Sequence, residues 1–448
     1  MDKKNIAAVI EGLEKYLQHM IESNQVNIQE FMNFMEPIFK NAGYREKNIS
    51  DKTNILVILD AVGFGDFIWK TGVLRELRRI YPNAKIKLVM FFVAKDIAET
   101  CPYVDEIILN PFKFDSINFV EIFKHNIEVA KKLLQEKTDI CYAFTYYIHT
   151  PLLMYMSGAV ERISYKFDDD DTINWPDSSA SPHLPYLPLK RSHLNSLATV
   201  SVPQFLYGGH NVDISFALLD YILKSPVANR NMEVWLTALD KNVAENVLAD
   251  KSKKYFALAM GGNTFNKHYP PENYAKLIQK IYREDKNSVF VILGGGKADL
   301  QSAEIIKNNL PEDIYRNNII DLTNKTTYRQ SAAILSLCEM YIGNDTGLMH
   351  VSAAVKVPVL AIFCFPADLP AHRIDGPKML YPYGVANIIV QPAKSLPECA
   401  EIKSHNHYGC KMPKSHCITQ IKVETVFKGY RLLKDRAAKN IIETLYIK

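Results

Sequence analysis

Short apolar runs alternate with amphipathic stretches along most of this chain, and the series occurs twice. The first run, Asn54–Leu59, is Asn-Ile-Leu-Val-Ile-Leu. Such a continuous apolar segment suits a central parallel strand, buried on both faces. A glycine-bearing loop, 60–66, follows it, then a helical pattern over 67–81 closed by Pro82, and further strands over 86–92, 104–109 and 139–144. The second series starts at 255–259. It continues with a helix over 273–284, a strand over 288–293, a glycine triplet at 294–296 and a helix over 298–309. A strand over 319–322, a helix over 328–338, a strand over 357–363 and a closing helix over 423–445 complete it. Strands separated by helical patterns are βαβ units. The expectation is an α/β chain of two Rossmann-like doubly wound domains facing across a cleft. Ligands of such sheets bind beyond the carboxyl ends of the strands.

The length, 448 residues, agrees with two domains. The boundaries read as a helical N-terminal extension over 1–50, a first domain over 51–225, a linker over 226–250, a second domain over 251–422 and a C-terminal helix over 423–448. In the extension, Ile6, Val9, Ile10, Leu13, Tyr16, Leu17 and Met20 recur at helical spacing. It packs on the body of the chain or on another subunit, the latter giving a homo-oligomer. Residues 165–210, rich in Asp, Ser, Pro and His, read as long loops, with the acidic run 168–171 solvated.

Charge narrows the partners. With 53 Lys and Arg against 49 Asp and Glu the net charge is +4, too mild for a dedicated nucleic-acid binder. It suits an anionic substrate, or loose peripheral contact with an anionic membrane surface such as the inner membrane. The first residues lack the apolar core of a secretory signal, and no run approaches the roughly 18 residues of a membrane span. Seven scattered cysteines argue for a reducing compartment, hence the cytoplasm.

The turn Asn344-Asp345-Thr346-Gly347, after an apolar strand, reads as a helix start. Asn344 or Asp345 can cap that helix. Thr346 and Gly347 then fall in its first turn, where free N–H groups and the helix dipole favour a phosphate. His350 lies one turn further on, on the same side. An ordinary capped helix is the alternative.

Three glycine loops join this turn at strand ends. In the loop around Gly63 and Gly65 a dinucleotide fingerprint would need a third glycine at Ile68, and Asp66 at the helix start would repel a pyrophosphate. Asp66 reads instead as an N-cap with a lowered pKa, or as a carboxylate able to act as general base on a hydroxyl. The second loop holds Gly261, Gly262, Asn263, Thr264 and Lys267 ahead of Pro270 and Pro271. Its glycines allow close approach, and Lys267 offers a compact charge suited to phosphate. The third, Gly294 to Asp299, either permits a turn or leaves room for a nucleoside with Asp299 on ribose hydroxyls.

Together these segments resemble glycosyltransferase family 9, the ADP-heptose:lipopolysaccharide heptosyltransferase family. The resemblance covers about 54–110 and 255–420. It rests on Asp60-x-x-Gly63-x-Gly65-Asp66, Lys267-His-Tyr-Pro-Pro-Glu272 and Gly343-Asn-Asp-Thr-Gly-Leu-Met-His350. It implies a GT-B fold and inverting, metal-independent transfer of a heptose or related sugar from a nucleotide-sugar donor to a glycan or protein acceptor, as in lipopolysaccharide biosynthesis. It implies Asp66 as catalytic base, with Gly63 and Gly65 on the acceptor side. It places Lys267 on the donor phosphates, Asn263 at a phosphate-binding position, Asp345 on the sugar, Thr346 and Gly347 on the pyrophosphate, and Asp299 near the ribose. Gly262, Thr264 and His350 complete the expected donor set. Gly262 and Asn263 depart from the small hydroxyl residues common there. A catalytically inactive nucleotide-sugar-binding or scaffold protein is the alternative; the joint presence of Asp66, Lys267 and Asp345 argues against it.

The segment 395–420 carries Cys399, Cys410 and Cys417 with His405, His407 and His416. Three thiols and a histidine can hold a structural zinc or iron; packed thiols are the other reading. No cofactor is expected for catalysis.

Overall fold

The computed structural model describes residues 3–23, 28–41, 53–59, 63–110, 119–144, 149–166, 191–203, 209–262, 265–368, 376–396 and 416–448. The chain divides into two units. One comprises 1–205 with 213–230, the other 206–212 with 231–448. A short strap, 206–212, thus belongs to the second unit although the chain on both sides of it belongs to the first.

The first unit is built on β1 (Asn54–Leu59), β2 (Lys85–Phe91), β3 (Glu106–Asn110), β4 (Ile140–Ala143), β5 (Glu161–Tyr165) and β6 (Val200–Val202), in the order β3-β2-β1-β4-β5-β6. The second has β7 (Lys254–Ala259), β8 (Ser288–Ile292), β9 (Ile319–Asp321), β10 (Met340–Asn344), β11 (Val359–Ile362), β12 (Asn387–Val390) and β13 (Thr444–Ile447). Its order is β13-β12-β11-β10-β7-β8-β9. Every recorded pairing is parallel. Read from the β9 edge, the second sheet repeats the plan of the first, third-second-first-fourth-fifth-sixth, and adds β13. The order reverses between β1 and β4 and again between β7 and β10, and ligand crevices open at such points. Val57, Ile58, Leu258 and Ile342 are fully buried, as continuous apolar runs demand.

Several elements differ from the sequence expectation. The helix expected over 67–81 is two pieces, Phe64–Ile68 and Thr71–Ile80. The break lies where Thr71 Oγ1 takes the Ile68 carbonyl at 2.9 Å and Lys70 N–H bonds Phe67 O at 3.0 Å, tightening the turn. The stretch expected as loops, 165–210, holds β6 and a 3-10 turn at Arg191–Leu197, while the acidic run 168–171 lies outside the described residues. The final helix, Val423–Ala438, stops before 445 because Asn440 takes a left-handed conformation, φ 53°, and the chain turns back into β13. The helix Ala238–Val247 occupies part of the stretch read as a linker, started by Thr237 and tied by Asp240 to Arg329 at 2.9 Å.

The N-terminal helices Lys3–Ser23 and Ile28–Asn41 pack within the first unit. Ile6, Ile10, Leu13 and Leu17 join one core with Phe123, Ile127, Leu133, Leu153 and Met154. Each such side chain contributes roughly 1.5–3 kcal/mol on burial. Lys3 Nζ also donates to Leu134 O at 2.8 Å. Among the described residues no helix is long and apolar enough to cross a membrane.

Candidate functional site

The strongest cluster of site residues lies in the second unit, where β7 and β10 run side by side and end in two loops. After β7 come Met260, Gly261 and Gly262; Asn263 and Thr264 lie outside the described residues. The chain resumes as the 3-10 turn Phe265–Lys267 and enters the helix Pro271–Glu284, with proline at its start. After β10 come Asp345 and Thr346, then the helix Gly347–Ala354.

Asn344 fastens these loops together. It is the last residue of β10 and fully buried, and it does not cap the following helix. Its Nδ2 donates to Met260 O, in close contact, and to Gly261 O at 3.4 Å. Its Oδ1 accepts from Tyr274 Oη at 2.8 Å and Tyr269 N at 3.4 Å. The N-cap is Thr346, with extended backbone and no side-chain cap bond, so neither Asn344 nor Asp345 fills that place. Tyr341 Oη donates to Asn344 O at 2.9 Å and lies 3.3 Å from Thr346 Oγ1, fixing the turn from below. Tyr341 and Tyr274 are the site residues that sequence reasoning missed, and Asn344 ties the two loops together instead of capping the helix.

Lys267 and Asp345 meet here. Lys267 Nζ lies 2.6 Å from Asp345 Oδ2, with the side chains 13% and 4% exposed. A cation and a carboxylate so enclosed are weakly screened. Beside them stands the start of the helix Gly347–Ala354, whose dipole and terminal N–H groups favour an anion. His350 is buried one turn in. Burial first, then His210 and Lys267, hold its imidazole well below the ordinary histidine range, so it is neutral at pH 7.

Asp299, in the first turn of the helix Lys297–Asn309, faces inward. Its Oδ2 accepts the Gly295 N–H at 2.7 Å. A Cβ on Gly261 would stand 2.5 Å from Oδ1, so only glycine lets this carboxylate approach the loop. Burial pushes its carboxyl above the ordinary aspartate range, while the Gly295 N–H and His268 pull it down. Gly262 lies against Lys267, and its carbonyl is 3.0 Å from His268 Nε2.

Asp66 belongs to the first unit, in the loop after β1. It is the third residue of the helix Phe64–Ile68, not its cap; Gly63 holds the cap position. Gly63 N–H donates to Asp66 Oδ2 at 2.9 Å, and a Cβ on Gly63 would stand 2.8 Å from that oxygen. Asp66 is half-buried, held at a strand end by this bond, and Gly65 lies in the same short helix. Cys399 and Cys410 lie outside the described residues. Cys417 is buried, its Sγ 3.5 Å from His416 Nδ1. Among the described residues no three His, Cys, Asp or Glu side chains converge as metal ligands.

Comparisons with known proteins bear on the family and the fold. The sequence profile of glycosyltransferase family 9 (heptosyltransferase) matches residues 190–370. A lipooligosaccharide heptosyltransferase 2 of Haemophilus influenzae is 32% identical over 97 residues, a stretch spanning 22% of this chain and only 27% of that relative's length. The lipopolysaccharide heptosyltransferase 2 of Escherichia coli K12 is 20% identical over 69% of this chain and 82% of its own. The solved structure of E. coli ADP-heptose lipopolysaccharide heptosyltransferase II superposes with a TM-score of 0.60 at 17% identity, covering 86% of this chain and 99% of that one. Each unit carries one doubly wound parallel sheet, and the likeness to that structure shows the GT-B fold.

Proposed function

We propose that this chain, which belongs to glycosyltransferase family 9, moves a heptose or related sugar from a nucleoside-diphosphate donor to a hydroxyl of a glycan or protein. ADP-heptose is the donor that the relatives' names suggest, and the lipopolysaccharide core the acceptor. The observation that carries this reading is the Lys267–Asp345 pair set beside the helix start at Gly347, on the loops that leave β7 and β10. A cation, a helix N-terminus and bare glycine backbone suit a diphosphate; a buried carboxylate suits the hydroxyls of a sugar.

In this reading Asp66 takes the proton of the acceptor hydroxyl. The freed oxygen forms a bond to the anomeric carbon as that carbon's bond to the diphosphate oxygen breaks. One displacement inverts the centre. The electron pair leaves with the nucleoside diphosphate, whose charge Lys267 and the helix start stabilise, so the step calls on no metal. Asp345 and neutral His350 orient the donor, Thr346 and Gly347 receive the diphosphate, and Gly261 and Gly262 leave room for it; Asn263 and Thr264 are the further donor contacts that the family resemblance implies. A structural zinc or iron on Cys399, Cys410 and Cys417 is a separate matter for elemental analysis; less than about a tenth of an equivalent in purified protein ends it.

The test separates base from binding. Asp66→Ala is expected to abolish transfer while donor affinity stays nearly intact; comparable turnover in the variant overturns the base assignment. ADP is expected to raise the melting temperature more than UDP or GDP, and equal shifts remove adenine from the proposal.

A further inference from the structure

A second concave site opens in this unit where the helix Pro271–Glu284 faces the chain from Thr419 to Glu424. The cavity there holds about 470 Å³. The buried face of the helix carries Tyr274, Ala275, Leu277, Ile278 and Ile281. The face toward the cavity carries Asn273, Lys276, Lys280 and Arg283, spaced three, four and three residues apart, which is one stripe of a helix. Lys422 and Glu424 stand on the facing wall. Four cations thus meet one carboxylate, three positive charges in excess, where all 448 residues together carry four. Buried Tyr269 donates from Oη to Ile421 O at 3.0 Å and holds that wall to the chain leading from Lys267 into the helix. No lining residue belongs to the donor set.

Charge so concentrated needs compensation. Lys280 Nζ lies 3.3 Å from Glu424 Oε1, which engages the one carboxylate. Among the described residues Lys276, Arg283 and Lys422 have no ion-pair partner. Lys254, Lys307, Arg316 and Lys439 of the same unit each have one. Like charges around a cavity repel unless an anion lies among them. A phosphate supplies both the charge and several acceptor oxygens, taken by arginine through paired N–H groups and by lysine as a point charge. The volume falls in the usual range for small-molecule sites, roughly 300–1,000 Å³. We infer that this cavity is a second anion site, separate from the donor site, for a group bearing one or two phosphates. That group is either free in solution or the headgroup of an acidic lipid, and the experiment separates the two.

The full chain is compared with two double variants. Lys276→Gln with Arg283→Gln removes two lining cations and breaks no ion pair among the described residues. Lys307→Gln with Lys439→Gln removes two exposed cations elsewhere in the unit and controls for net charge. In one arm inorganic pyrophosphate is titrated by calorimetry. Pyrophosphate can also enter the donor site, so the readout is the difference between wild type and variant. The cavity variant is expected to show one binding event fewer, or the same event weakened about tenfold, with the loss shrinking at high salt. Its ADP affinity is expected within about twofold of wild type, since the two sites share no residue. In the other arm the proteins are sedimented with vesicles of phosphatidylcholine, alone or mixed with phosphatidylglycerol. A loss confined to pyrophosphate assigns a free phosphate, and a loss confined to the phosphatidylglycerol vesicles assigns a lipid headgroup. A cavity variant that behaves like wild type in both arms overturns the inference, and so does a control variant that loses as much. Should the cavity variant fail to fold, Lys422→Gln on the facing wall decides: a loss of about threefold is expected, and wild-type behaviour in both arms overturns the inference.

Discussion

Lys267 Nζ and Asp345 Oδ2 lie 2.6 Å apart and tie the loop after β7 to the turn after β10. Removing one partner of a buried pair leaves the other charge uncompensated, typically at about 3–5 kcal/mol. Asp345 is the more enclosed, 4% exposed against 13% for Lys267. Lys267→Ala, which strands Asp345, should therefore destabilise the chain more than Asp345→Ala. Urea denaturation ranks the two, and a reversed order removes burial as the cause. Lys267→Ala should also weaken nucleoside-diphosphate binding by ~1–3 kcal/mol, the range for a charge-assisted bond. Unchanged calorimetric affinity refutes its place on the phosphates.

Asn344 works because it carries a donor and an acceptor at once. Asn344→Asp keeps the shape, but the carboxylate cannot donate to Met260 O or Gly261 O, the two carbonyls that the amide now holds. At a fully buried position the expected loss is about 2 kcal/mol or more, with ADP binding weakened in parallel. A variant as stable as wild type would show the network to be dispensable.

Two buried groups should shape the pH profile with opposite signs. His350 is held below its ordinary 6.5 by burial, His210 and Lys267. The unfolded chain takes up that proton first, so stability falls as the pH drops below 6.5 towards the folded value. Asp299 is raised above its ordinary 3.8 by burial. There the folded chain holds the proton longer, so stability falls as the pH rises from 3.8 through the raised value and stays lower above it. Melting curves across pH should show His350→Phe with a shallower loss below 6.5. Asp299→Asn should be more stable than wild type near neutrality, with that gain vanishing towards 3.8. Profiles parallel to wild type would rule out either group as the source.

The N-terminal helices should matter for folding. Leu13 is fully buried, in one core with Phe123, Ile127 and Leu133 of the helix Phe119–Gln135. Leu13→Ala should cost about 2–5 kcal/mol, the usual range for a large-to-small core change. A loss under about 0.5 kcal/mol, as at a surface site, would mean that the extension packs loosely.

The framework was legible where burial leaves a simple mark. Residues 55–59 and 289–292 are apolar without interruption because both faces of a central parallel strand are covered. Thr444–Ile447 was not legible, since the helical pattern before it runs on without a break in polarity and only Asn440 marks the reversal. At the site, Lys267 and Asp345 could be singled out by charge at strand ends, but not their pairing, which depends on β7 and β10 lying side by side. Asn344 was misread as a cap because a short polar side chain before a helix has two uses, and only burial separates them.

The strap over 206–212 also governs how the chain could be divided. A cut at 205 would leave 213–230, part of the first unit, on the fragment that carries the second. A cut at 230 would leave 206–212, with His210, on the fragment that carries the first. No single break yields two whole units. A split form, or a chimera that borrows one half from a relative, must carry the strap across with the donor half or supply it twice.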